Sequence, residues 1–84
     1  MSQEHFEPDR NCPVYVYIQV ADQIAAQIEL GDFRVGERLP GARHLARSYR
    51  VSIATARRGL AELQDRGLVQ IVPVKGTYVL KRRP

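Results

Sequence analysis

Eighty-four residues, 44% of them apolar, are enough for one small domain with a modest core. No apolar stretch approaches the ~18 residues of a membrane span, MSQEHFEPDR lacks the parts of a signal peptide, and Cys12 alone cannot form an internal disulfide, so a reducing cytoplasm is the expected setting. The net charge of +4 is segregated, with seven acids and two bases in residues 1–37 and eleven bases and two acids in residues 38–84; nucleic acid, an anionic membrane or plain solvent would each satisfy so basic a half.

Residues 1–12 are polar, acidic and aperiodic and read as a flexible arm ahead of a folded domain over 13–81. Helix 1 is expected from Val14 or Val16 to Leu30, with Pro13 near its start. Tyr17, Ala21, Ile24 and Ile28 recur at helical spacing and make its inward stripe. Gln19, Asp22, Gln23, Ala26 and Glu29 face outward, where a second copy could pack. Gly31 follows as the C-cap. Asp32–Arg38 forms a turn and a short extended piece, with a small extra strand possible near Arg38–Leu39. Pro40 then precedes helix 2, Ala42–Tyr49, where its missing N–H does no harm. That helix turns Leu45, Ala46 and Tyr49 inward and leaves Arg43, Arg47 and Arg50 on a basic outer side. Arg50 falls in the turn, where a left-handed conformation is common, and Val51 anchors the turn from inside.

Ser52 is placed to cap helix 3, which runs from Ile53 to about Arg66. On a helical wheel Ile53, Ala56, Leu60 and Leu63 share one apolar stripe. Ala54, Arg58 and Glu62 point away from it, and Arg57 lies on its shoulder. Gly59 costs roughly 1 kcal/mol of helix propensity against alanine, so close approach of helix 1 or 2 is the expected reason for it. Gly67 ends the helix. LVQIV (68–72) and TYVL (77–80) are β-type runs joined by Pro73–Gly76, with Lys75 at the tip. So short a hairpin must rest on the helices through Leu68, Ile71, Tyr78 or Leu80. The predicted fold class is mainly α (α+β): a winged helix-turn-helix, three helices followed by a two-stranded β-hairpin wing.

The segments VYIQVADQIAAQI, LGDFRVGERLP, ARHLARSYRVS, TARRGLAELQDRGLV and KGTYV, in this order, resemble the DNA-binding domain of the GntR transcriptional regulators over about residues 14–80. The resemblance implies binding of double-stranded operator DNA by two-fold related pairs, a homodimer on DNA, usually to repress. It also carries over contact positions. Arg43 matches the arginine that helps clamp and read the operator, and Ser52 opens the recognition helix. Thr55 and Arg57 are retained, and Gly76, preceded by Lys75, is the wing glycine. Departures are Ile53 where arginine is common, Ala54 where a polar residue is frequent, Gly41 for serine and Val74 for glycine. Ile53 and Ala54 can touch a thymine methyl but cannot make charge-assisted bonds, so the preferred operator is expected to differ from the commonest one. Arg58, outward on the wheel, completes the candidate DNA-binding set.

Each of these residues also has a plainer reading. Arg57 could form a surface salt bridge with Glu62 or another acid, Arg43 and Lys75 could be solvated charges, and Ser52 and Gly76 could be only cap and turn. Regulators of this family usually continue into a larger domain that binds a metabolite and pairs the subunits. This sequence stops just past the wing, as a minimal member or a piece of a longer protein, and shows no small-molecule effector site. His5 and His44 lack partners at metal-ligand spacing, and no nucleophile–base pair or phosphate-cradling loop is present, so neither a cofactor nor an enzyme is expected. A protein-interaction winged helix that no longer reads DNA is the alternative, kept open by Ile53.

Overall fold

The computed structural model describes residues 8–11 and 14–81. Residues 1–7 and 12 of the expected arm, and Pro13 at the expected start of helix 1, lie outside the described residues. The element order is α1 (Val16–Leu30), α2 (Ala42–Tyr49), α3 (Ile53–Asp65), β1 (Val69–Val72) and β2 (Gly76–Val79), the winged helix-turn-helix that the periodicities predict.

In α1 the buried face is wider than a single stripe. Val20, Ala25 and Gln27 join Ala21, Ile24 and Ile28, while Tyr17 is only half-buried. Gly31 leaves the helix at φ 90, and the N–H of Asp32 reaches back to the Gln27 carbonyl at 2.9 Å. Buried Gln27 accepts a long hydrogen bond, 3.4 Å, from the hydroxyl of Tyr49, the last residue of α2. Helix α3 crosses α1 at Gly59, where a Cβ would stand 3.1 Å from Val20 Cγ1 and 3.3 Å from the Tyr17 carbonyl oxygen. The glycine is therefore a packing requirement of the α1–α3 contact. Gly59→Leu should cost about 1–3 kcal/mol by overpacking, read as a lower melting temperature.

The end of α3 decides which face of the wing meets the core. Gly67 takes φ 80, and the N–H of Leu68 bonds the Leu63 carbonyl at 3.0 Å, a helix-terminating bond that buries Leu68 before any strand begins. Strand alternation thus starts at Val69. The register pairs Val69 with Val79 and Ile71 with Thr77 on the inner face, and Gln70 with Tyr78 on the outer. This corrects two of the expected anchors. Leu68 and Ile71 do pack on the helices, but Tyr78 belongs to the outer row, half-buried, and Leu80 is exposed; Thr77 and Val79 take the inner positions.

The expected extra strand is present as an isolated bridge between Arg38 and Tyr78. It is held by Val79 N–H to Glu37 carbonyl at 2.9 Å and Leu39 N–H to Thr77 carbonyl at 2.8 Å. Within the arm, Asp9 exchanges two hydrogen bonds with the Gln19 side chain, at 2.8 and 2.9 Å, and Arg10 Nη2 donates to the Arg50 carbonyl at 3.0 Å. These hydrogen bonds lay residues 9 and 10 between the start of α1 and the turn after α2.

Candidate nucleic-acid interface

The turn between α2 and α3 sets the angle of the recognition helix. Arg50 occupies the left-handed region at φ 60 and ψ 45, a conformation costing roughly 1–2 kcal/mol for a residue with a Cβ. Val51 is half-buried beneath the turn, and its N–H bonds the Ala46 carbonyl at 3.0 Å. Ser52 then caps α3: its Oγ accepts the Thr55 N–H at 3.0 Å, and its hydroxyl lies 3.0 Å from Thr55 Oγ1. Both hydroxyls of the front turn are thereby fixed. Ser52→Ala should destabilise the domain by about 1 kcal/mol, measurable by denaturant titration.

Along α3 the candidate residues separate. Ala54, Arg57 and Arg58 are exposed, Thr55 is half-buried, and Ile53 is half-buried against the core. An apolar residue at position 53 therefore has a packing role. Glu62 pairs with Arg66 at 3.0 Å, and Arg66 also reaches Asp22 at 2.9 Å. Arg57 has no ion pair among the described residues, so the salt-bridge reading of it finds no partner there. Arg58 turns towards α1, its guanidinium carbon 4.0 Å from the centre of the Tyr17 ring, which in turn stacks on Tyr15. Arg43 stands exposed on α2.

Between α3, the start of α2 and the wing runs a cleft of about 360 Å³. Arg57, Arg38 and Gly76 line it over an apolar floor of Leu60 and Ile71. Arg57 and Gly76 are thus brought to one opening, whereas Arg43, Arg58 and Lys75 are not among its lining residues. The wing turn is closed by Lys75 N–H to the Val72 carbonyl at 3.1 Å, and Gly76 adopts φ 123. Val74, fully exposed, sits at φ 72, a region that β-branched residues rarely enter. Here a valine where glycine would sit without strain has a physical cost. Val74→Gly should raise stability by up to about 1 kcal/mol, strain relief being partly offset by the greater freedom of the unfolded glycine chain. A lower melting temperature for that variant would contradict the assignment of strain.

Arg38 is not among the residues that the sequence singles out. The available signal is a base at the edge of a possible short strand, but which side it faces depends on its pairing with Tyr78. Among the described residues no three His, Cys, Asp or Glu gather as a metal site, and no helix is long and apolar enough to cross a membrane.

The family model described as bacterial regulatory proteins, gntR family, matches residues 16–79, from the first residue of α1 to the last of β2. The chain belongs to the gntR family. The family is one of bacterial regulatory proteins. The chain is 34% identical over 64 residues to the HTH-type transcriptional regulator SmoD of Agrobacterium fabrum, covering 76% of this chain but 27% of that relative. It thus spans about a quarter of SmoD's length. Among solved structures it is similar to the AraR DNA-binding domain in complex with operator ORX1, with a TM-score of 0.75 and 28% identity over 89% of this chain and 96% of that one. It is also similar to BusR of S. agalactiae in complex with its busAB-promotor DNA, with a TM-score of 0.76 and 32% identity over 82% of this chain and 34% of BusR. The gntR-family DNA-binding fold therefore spans most of the chain.

Proposed function

We propose that this domain binds double-stranded DNA sequence-specifically, as a homodimer on a palindromic operator, and that occupying the operator represses transcription. The observation that carries the reading is Arg57, exposed near the capped start of α3 and opening with the wing glycine onto one cleft. A helix of this kind lies in the major groove with its N-terminal residues nearest the base edges. In that position Arg57 reads guanine, and exposed Ala54 offers its methyl group to thymine. Arg43 and Lys75 neutralise phosphates or, for Lys75, enter the minor groove beside the wing. The similarity to the AraR DNA-binding domain and to part of BusR, whose solved structures are complexes with DNA, supports the same reading.

Selection of bound sequences from a random duplex library tests it. The expected product is a two-fold symmetric site, protected across both half-sites at saturation. Absence of any enriched sequence, or protection of a single half-site, would count against it.

A further inference from the structure

We infer that Arg38 is a DNA-backbone contact, seated to hold the phosphate strand that passes between the recognition helix and the wing. The inference rests on the proposed reading of the domain as a DNA binder. Its first support is how firmly the base of this side chain is fixed. Arg38 pairs with Tyr78, and the hydrogen bonds on either side, Val79 to Glu37 and Leu39 to Thr77, are 2.9 and 2.8 Å. Leu39, next in the chain, is buried. Arg38 as a residue is nevertheless exposed, and among the described residues no carboxylate pairs with its guanidinium. The neighbouring acid, Glu37, instead accepts the Arg34 N–H at 2.8 Å.

The second support is where the side chain lies. A Cβ on Gly76 would stand 2.6 Å from Arg38 Nε, so the arginine lies against the bare backbone of the wing turn. Any side chain at position 76 would displace it, which gives this glycine a reason beyond its φ of 123. From there Arg38 borders the same cleft as Arg57. A recognition helix in the major groove and a wing in the adjoining minor groove must straddle the sugar–phosphate strand that separates the two grooves. That strand crosses the mouth of this cleft. A cation fixed there, with no acid among the described residues to neutralise it, meets a phosphate.

The test measures binding of the full chain to the library-selected duplex and to a scrambled duplex across a salt series, for wild type, Arg38→Gln and Arg38→Lys. Melting temperature serves as the control. Arg38→Gln should weaken both duplexes by similar, several-fold factors and shallow the slope of log affinity against log salt by about 0.9 per copy. Arg38→Lys, which keeps the charge, should retain the wild-type slope. Methylphosphonate substitution at the phosphate between the helix and the wing should weaken wild type and leave Arg38→Gln unaffected. If Arg38→Gln matches wild type in affinity and slope, the inference is overturned while DNA binding stands. The same holds if Arg38→Lys is as shallow as Arg38→Gln, since a positional role would then explain both. A wild type that binds neither duplex in a salt-dependent way overturns this inference together with the functional reading beneath it.

Discussion

Replacing Arg57 with alanine should weaken binding to the preferred operator by about 5- to 150-fold per half-site while leaving binding to scrambled DNA much less affected. The range follows from the roughly 1–3 kcal/mol that a bidentate arginine–guanine pair contributes to discrimination. The guanidinium's planar fork matches guanine O6 and N7, so preference at one position per half-site should relax. Lys75 should behave differently. It sits in the wing turn, and an ammonium on a long stem suits phosphates or an AT-rich minor groove. Lys75→Ala should weaken operator and scrambled duplexes by similar factors and shallow the salt dependence by about one unit for each phosphate left without its cation. Both side chains are exposed, so both variants should melt with the wild type. Equal weakening on both duplexes for folded Arg57→Ala would make that residue a phosphate clamp.

Tyr49→Ala should have the largest effect on stability. Tyr49 is 1% exposed and heads the fully buried side chains by volume. Truncating a buried aromatic costs about 3–5 kcal/mol, against a total stability on the order of 4–13 kcal/mol for a chain this size. The melting temperature should fall by roughly 10–40 °C. DNA binding should fail with it, because Tyr49 ends α2 immediately before the turn that orients α3. Tyr49→Phe should stay folded and change the response to alkali. Burial pushes the Tyr49 phenol up to about 12, whereas in the unfolded chain it ionises near its ordinary value of about 10. Its contribution is therefore complete below pH ~10 and is lost as pH rises from there through about 12, since the unfolded state releases the proton first. Urea titrations over that window should show a shallower decline for Tyr49→Phe than for wild type.

The helices are legible in the sequence because their signals are local. The α1 spacing, the Ser52 cap and the left-handed Arg50 each follow from a few neighbouring residues and a period of 3.6. What escapes depends on register or on partners distant in sequence. Leu68 and Ile71, three residues apart, cannot share one face of a strand, so the expected anchors leave the register of the wing open. In the fold Leu68 is consumed by the end of α3, alternation starts at Val69, and Thr77 and Val79 rather than Tyr78 and Leu80 face inward beside Ile71. Arg38 escapes for the same reason, since its orientation is set by pairing with Tyr78 forty residues on. Arg58 looks like a free outward cation on the wheel, but a wheel holds one helix only, and Tyr17 on α1 takes its guanidinium. Arg57 is legible because its shoulder position survives the packing of the other elements.

The most direct measurement of the central claim is the salt dependence of wild-type binding to the selected duplex, followed by fluorescence anisotropy from about 50 to 200 mM salt. With Arg38, Arg43 and Lys75 each neutralising one phosphate per copy, two copies release counterions from about six, for a slope near −5 and a fall of about 10³-fold in affinity over that range. Affinity that changes by less than a few-fold across the series would contradict a DNA-binding role for this domain.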